Sequence, residues 1–374
     1  MHATCRTRGG AVRARALLAE AYRNLAGGTA MAGILAIVLG VALAGLSAAE
    51  ARGIVGANST IARWQNSGAT VYIVSATESI DGRACEHLAQ SPRVRFSGAI
   101  RADPAGLRVS ALPVAPPPAW QVTPGFARLI TGTAGNTAAS RPDTGIILSA
   151  SLAETLGRQT GSIVSTIDGD ARIAGVFTVA DDGRALLLSY AALEPAPATG
   201  LFDACWAEVW PPDAATVSAL SVVISQNVIT DEKADVTQYN TTLGTRLDAT
   251  SLYSDRLTRF GALATCVIGL VLGFVSVRRR RLELASNLHA GMSRVALGTQ
   301  LHLETVVWAW SSVLLAAPWA VVAATSSNPL SPGTALVAAV FVLLSGAVGA
   351  SAGTALGFAL THESQLFAYF KNRA

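Results

Sequence analysis

The chain has 374 residues; 51% are hydrophobic, only 14% are charged, and the formal net charge is +4. A mean hydropathy of +0.42 excludes an ordinary, wholly water-facing domain and points to membrane segments beside a soluble part. The basic residues flank apolar stretches and form no groove-sized patch, so the positive charge gives no reason to invoke nucleic acid.

Residues 1–28 carry Arg6, Arg8, Arg13, Arg15 and Arg23, and Ala16, Ala19, Tyr22 and Leu25 recur at helical spacing. That pattern predicts an amphipathic helix at a membrane surface. Residues 29–50 follow as a first span, with no charge between positions 31 and 49; a helix needs about 20 apolar residues to cross the hydrocarbon core. The alternative, a cleaved signal peptide with Ala49-Glu50-Ala51 as its site, fits less well, because the apolar stretch exceeds the usual signal core and a long patterned segment precedes it.

Residues 51–259 are long enough for a core of their own, with room for two lobes. Strand-like runs are expected at 69–76, 94–101 and 107–112, before a Pro-rich loop at 113–118. Gly145-Ile146-Ile147-Leu148 predicts a strand, Ser149 a helix N-cap, and Gly157 the stop of a short helix. Strands are expected again at 162–167, 171–179 and 185–189, separated by Asp-Gly turns. A helix over 236–259 would feed the next span, so the segment as a whole is expected to be α+β. Cys85 and Cys205 both lie in it, and a disulfide between them is expected, with two separate buried thiols as the alternative that geometry decides.

The remaining spans are 260–277, 305–327 and 334–361, with a tail at 362–374. No Asp, Glu, Lys or Arg occurs between Glu304 and His362, and Asn328-Pro329-Leu330-Ser331-Pro332-Gly333 breaks this stretch with turn chemistry. Four arginines, Arg278 to Arg281, stand where the second span stops. Short loops rich in Lys and Arg stay in the cytoplasm, so residues 278–304, both termini and the tail, with Lys371 and Arg373, are expected inside, and residues 51–259 outside. The expectation is therefore a membrane protein of four transmembrane helices, one followed by three, with a large extracytoplasmic α+β domain between the first two.

Over 282–301 a helix would carry Leu284, Leu288, Met292, Val295 and Leu301 as an apolar stripe, with Glu283 and Arg294 beside it. Such a helix can dock in a groove on another protein or lie on the membrane as an anchor. Chemistry finds less support. Gly349-Ala350-Ser351-Ala352-Gly353 matches a nucleophile-elbow pattern, but it falls within a predicted helix, away from every histidine. Gly349, Gly353 and Gly357 fit better as small residues that let two helices approach. No spacing suits zinc. The two lysines, Lys233 and Lys371, follow Glu232 and Phe370, so neither completes a P-loop. No catalytic, cofactor or metal residue is expected.

The layout resembles the permeases of the FtsX-like and MacB-like ABC transporter class. Arg280-Arg281-Leu282-Glu283-Leu284-Ala285 followed by Gly291-Met292-Ser293-Arg294 is similar to the cytoplasmic segment after that family's second helix. Gly145 through Phe177 is similar to part of its outer domain. The chain departs from the family at Asn287, Leu288 and His289, and at Ser162, where an acidic residue is common. The resemblance implies a bacterial plasma-membrane permease with a separate cytoplasmic ABC ATPase that binds the ATP. Arg280, Arg281, Glu283, Leu284, Leu288, Gly291, Met292 and Arg294 would form its docking set. It also implies a second permease copy or paralogue, membrane lipid and an extracytoplasmic protein as partners. Export or extraction of an amphiphile, lipid or peptide is one role. Mechanical control of a partner such as a cell-wall hydrolase is the other.

Overall fold

The computed structural model describes residues 19, 23–24, 31–112, 114–131, 145–225, 235–326 and 332–362. Most of the expected helix within 1–28, part of the turn at 328–333, and the tail beyond 362 lie outside the described residues. The chain forms two compact units, Met1–Ser59 with Thr250–Ala374, and Thr60–Ala249.

The first unit is a helical bundle. Helix α1 (Ala32–Asn66) runs without a break past position 50, and its last turns, from Thr60 on, belong to the second unit. No proline interrupts it, so an apolar span continues into a more polar helix. Among the described residues four helices are long and apolar enough to cross a membrane: α1, the helix that includes α7 (Gly261–Arg279), α9 (Arg294–Thr325) and α10 (Pro332–Ala359). Leu39 and Leu43 of α1 pack with Trp308, Val313 and Ala316 of α9 and Ala339 and Leu343 of α10. The Ser312 hydroxyl of α9 donates to the Ala36 carbonyl of α1 at 3.1 Å.

Helices α7 and α10 approach more closely still. The buried residues of α7 recur every four positions, Gly261, Thr265, Gly269, Gly273 and Val277, which is the ridge that four-to-four packing uses. A Cβ on Gly269 would lie 2.2 Å from the Gly346 carbonyl oxygen, and one on Gly349 or Gly353 would lie 2.1 or 2.0 Å from that of Cys266 or Leu270. A Cβ on Gly357 would meet the Val277 side chain at 3.0 Å. The backbones touch because the side chains are missing. Ser351 sits inside this helix and donates to the Ala347 carbonyl at 3.1 Å.

The second unit is an α+β domain whose described residues form one nine-stranded mixed sheet, ordered β5-β6-β4-β7-β3-β2-β8-β1-β9. The strands are β1 Val71–Asp81, β2 Val94–Asp103, β3 Ala119–Val122, β4 Ile146–Ser149, β5 Ile163–Thr166, β6 Gly169–Phe177, β7 Ala192–Pro195, β8 Leu201–Val209 and β9 Asp235–Gln238. The short helices are α2 Gly82–His87, α3 Pro124–Thr131, α4 Ala150–Leu156, α5 Ala214–Ala219 and, after the domain, α6 Ala249–Ser254. Alternation along β8 divides two cores. Cys205 and Ala207 join Val74, Ile80 and Cys85 on one face, while Trp206 joins Phe126, Val122 and Tyr239 on the other. Cys85 and Cys205 are bonded, with Cα atoms 5.8 Å apart. Ser149 caps α4 by accepting from the Leu152 amide, and Gly157 ends it at φ 62°.

Three expectations need correction. Residues 107–112 form no strand; Val109 makes a single bridge to Thr166, because Gly106 turns at φ 64° immediately before the segment. The expected strand at 185–189 is a 3-10 turn over Leu186–Leu188. Three consecutive leucines do not alternate, and only Leu188 is buried. The expected helix over 236–259 is β9, a turn, α6 and a 3-10 turn over Leu257–Phe260. There Val236 and Thr237 favour a strand, and Asn240 accepts from the Thr242 amide at 2.9 Å to start a turn.

Candidate functional site

The segment after α7 is the place where charged, apolar and turn-forming residues converge. The chain passes from α7 through Arg280 into helix α8 (Arg281–His289), turns, and enters α9 at Arg294. The single helix expected over 282–301 is therefore two helices. Gly291 adopts φ 89° with nothing within 4 Å of a Cβ position, so it serves a turn and not a close approach. The Met292 amide reaches the Asn287 carbonyl and the Gly291 amide the Leu288 carbonyl, at 3.1 and 3.0 Å, the paired bonds of a Schellman stop. Ser293 then caps α9 by accepting from the Ala296 amide at 3.3 Å. The Gly-Met-Ser-Arg spacing encodes a helix–turn–helix directly.

Arg280 is the hub of the segment. Its Nε and Nη2 donate to the two Glu283 oxygens at 3.1 and 2.9 Å, and Nη1 donates to Glu304 Oε2 at 2.6 Å. Glu304 Oε1 in turn accepts from Asn24 Nδ2 at 2.7 Å and Gln300 Nε2 at 3.4 Å. The side chains of Arg280 and Glu304 are 11% and 4% exposed. Burial by itself pulls the Arg280 pKa down, but Glu283 and Glu304 outweigh it and hold the guanidinium above its ordinary value. The cluster locks the end of α7, the start of α8 and the first turns of α9 together.

Around it lies a small core of Val277, Leu284, Leu288, Leu297 and Leu301, closed by Phe358. Leu284 and Leu288, expected on a docking stripe, face this core. Burying a leucine is worth about 2 kcal/mol, so offering both to a partner would forfeit about twice that. Arg294 packs its guanidinium 5.6 Å from the Phe358 ring centre and donates to the Thr361 carbonyl at 3.4 Å. What stays outward is the tip: Met292 at 37% and Val295 at 79% exposed, with Ser286, His289 and Ala290 beside them, Glu283 on the outer side of α8, and Arg281 half-buried. The structure thus divides the expected docking set into an inner brace (Arg280, Leu284, Leu288), a turn (Gly291) and an outer face. Sequence reading missed Glu304, Gln300 and Asn24 as brace residues; the signal available was that Glu304 is the last acidic residue before a long uncharged stretch.

In the α+β domain a shallow cleft of about 430 Å³ is lined by Asp103, Arg108, Asp168, Asp170 and Glu194. Arg108 pairs with Asp168. Burial, then Asp103 and Asp168, push the Glu194 carboxyl up. Among the described residues no group of three or more His, Cys, Asp or Glu is placed to hold a metal ion.

No family model matches the chain, and no curated protein matches it. Among solved structures, the periplasmic region of MacB from Actinobacillus actinomycetemcomitans is similar at 7% sequence identity with a TM-score of 0.35, covering 48% of this chain and 94% of that one.

Proposed function

We propose that the chain is the permease subunit of an ABC-type transporter. Its four spans run one and then three, both termini are cytoplasmic, and the α+β domain sits outside the bacterial plasma membrane between the first two spans. The observation that carries this reading is the braced tip after α7. An exposed apolar knob, Met292 and Val295, stands on a helix–turn–helix tied to the end of a span by the buried Arg280–Glu304 pair. A push on such a tip is delivered to α7 instead of being absorbed by a loop. Neither lysine of these residues completes a P-loop; binding and hydrolysis of the ATP are assigned to a cytoplasmic ATPase seated on the tip. A second permease copy or paralogue completes the pair. The substrate class is an amphiphile, lipid or peptide; from Thr305 to Ala359 the described spans hold no Asp, Glu, Lys or Arg, which suits an apolar-faced cargo better than an ion pathway.

The test is co-purification with the ABC ATPase encoded nearby, with ATPase rates measured on the complex. Val295→Arg and Met292→Glu alter only the exposed face and are expected to abolish binding and stimulation. Arg281→Glu is expected to weaken both, and Glu283→Arg, which also removes two hydrogen bonds from Arg280, to weaken them further. Full binding and stimulation in the Val295 and Met292 variants would leave the segment as a membrane-surface anchor and remove the transporter reading.

A further inference from the structure

Helix α7 has two opposite ridges. One, from Gly261 to Val277 in steps of four, is buried. The other, offset by two residues, is Leu263, Val267, Val271 and Val275, with 63, 52, 50 and 39% of each residue exposed. The next step of four is Arg279, also exposed. At the far end, before Leu263, stand Arg259 and Phe260, both exposed, with the guanidinium 4.6 Å from the ring centre. Twenty residues separate the two arginines, about 30 Å at helical rise, which matches the hydrocarbon thickness of a bilayer.

The arginines at the inner end are not equivalent. Arg280 is neutralised by Glu283 and Glu304. Arg278 is half-buried over the Phe274 ring at 6.0 Å. Arg279 makes no ion pair or hydrogen bond among the described residues, and it alone caps the exposed ridge. An apolar ridge ending in an uncompensated guanidinium matches a phospholipid: acyl chain along the valines, phosphate on the arginine. A second copy packed symmetrically on the same ridge would set Arg279 against Arg279, and like charges facing across an interface are penalised.

We propose that the outer ridge of α7 is a binding site for an anionic phospholipid, whose phosphate is held by Arg279 with Arg278 beside it. The proposal rests on the membrane-spanning reading, and adds a lipid-selective site to it. Guanidinium groups match phosphate oxygens in a two-pronged geometry, and a basic residue at the membrane surface adds attraction for anionic lipid.

The experiment is native mass spectrometry of the full chain purified in mild detergent, with phosphatidylglycerol or phosphatidylcholine of the same acyl chains. Phosphatidylglycerol adducts are expected to survive collision energies that strip phosphatidylcholine. In Arg279→Gln their retention is expected to fall about fivefold, the effect of one surface charge, while Arg279→Lys keeps most of it. Equal retention of both lipids, or no change in Arg279→Gln, overturns the proposal. Displacement by inorganic phosphate as readily as by added lipid overturns it too, because the site would then be one for free phosphate. An unchanged thermal midpoint in Arg279→Gln shows that the variant folds. A second arm does not depend on that variant: Val271→Cys cross-linking efficiently between copies in native membranes would make the ridge a protein interface and overturn the lipid assignment. Recovery of the unmodified chain in the soluble fraction after membrane sedimentation would instead overturn the membrane reading beneath it.

Discussion

A buried ion pair is weak evidence of stability until one partner is removed, because the survivor is then left in a low-dielectric site without compensation. Arg280 and Glu304 are such a pair. Glu304→Leu is expected to destabilise the bundle by about 3 to 5 kcal/mol, read as a lower thermal midpoint in detergent, and the double variant with Arg280→Met should recover most of it. A neutral single variant would show that α8 is held by its leucines alone. Asp182 in the α+β domain makes the complementary case. The Arg184 side chain donates to it at 2.7 and 2.8 Å and also reaches the Asn66 carbonyl at 3.0 Å; the Arg184–Asp182 hydrogen bonding first, opposed by burial and then aided by the Arg184 charge, holds the Asp182 carboxyl below its ordinary value. A depressed carboxylate stabilises the fold fully above its unfolded pKa of about 3.9, and the benefit is lost as pH falls through the lower folded value. Tryptophan fluorescence against pH should therefore show an acid limb starting below about pH 4 that is shallower in Asp182→Asn. An identical limb in both proteins would assign it to other carboxylates. Tyr239, its ring tilted against Trp206 at 4.6 Å between ring centres, is pushed up to about 12 by burial and should not ionise in this range.

At the scale of elements, the glycines divide sharply by what surrounds them. Gly353→Ala and Gly269→Ala would place a methyl about 2 Å from a facing carbonyl oxygen, so α7 and α10 must separate, at a penalty of about 1 to 3 kcal/mol. Gly33 and Gly45 in α1 have nothing within 4 Å, and alanine there should be neutral or stabilising by up to about 1 kcal/mol. Thermal midpoints of the four variants, measured side by side, check the contrast; equal losses in all would mean that helix propensity and not contact governs them. The same distinction explains how much was readable in the chain. β1 and β2 were visible, and α4 more sharply, because Ser149 and Gly157 are local signals for a helix that starts and stops there. Residues 236–259 failed because a weak helical pattern overlaid Val236-Thr237 and an Asn240 turn, and the partner that makes 235–238 a strand is β1, more than 150 residues away. β8, between β2 and β1, was missed altogether. In the candidate site the apolar periodicity was legible, but its direction was not. Leu284 and Leu288 follow the same spacing whether they face a partner or Phe358, and only the Gly291 turn, with the Arg280–Glu304 pair, turns them inward.

For the whole molecule, the proposed topology requires the α+β domain and the tip after α7 to be reached from different compartments. The Cys85–Cys205 bond closes 120 residues of chain, and such bonds persist in oxidising compartments. Removing it by Cys85→Ser with Cys205→Ser should destabilise the α+β domain by about 3 to 5 kcal/mol, detected as earlier loss of tryptophan signal on heating. Sidedness is tested independently of stability. In a background with Cys5→Ala and Cys266→Ala, Ser293→Cys places a thiol on the exposed turn between α8 and α9, and Val114→Cys places one on a residue that is 93% exposed in the domain. In intact cells, a membrane-impermeant maleimide is expected to label Val114→Cys and to leave Ser293→Cys untouched until the membrane is opened. Because Arg278 to Arg281 run from the last turn of α7 into the first residue of α8, the expectation follows from the rule that short basic flanks stay inside. Labelling of Ser293→Cys from outside would invert the bundle, put the tip beyond reach of a cytoplasmic ATPase, and remove the drive on α7 with it.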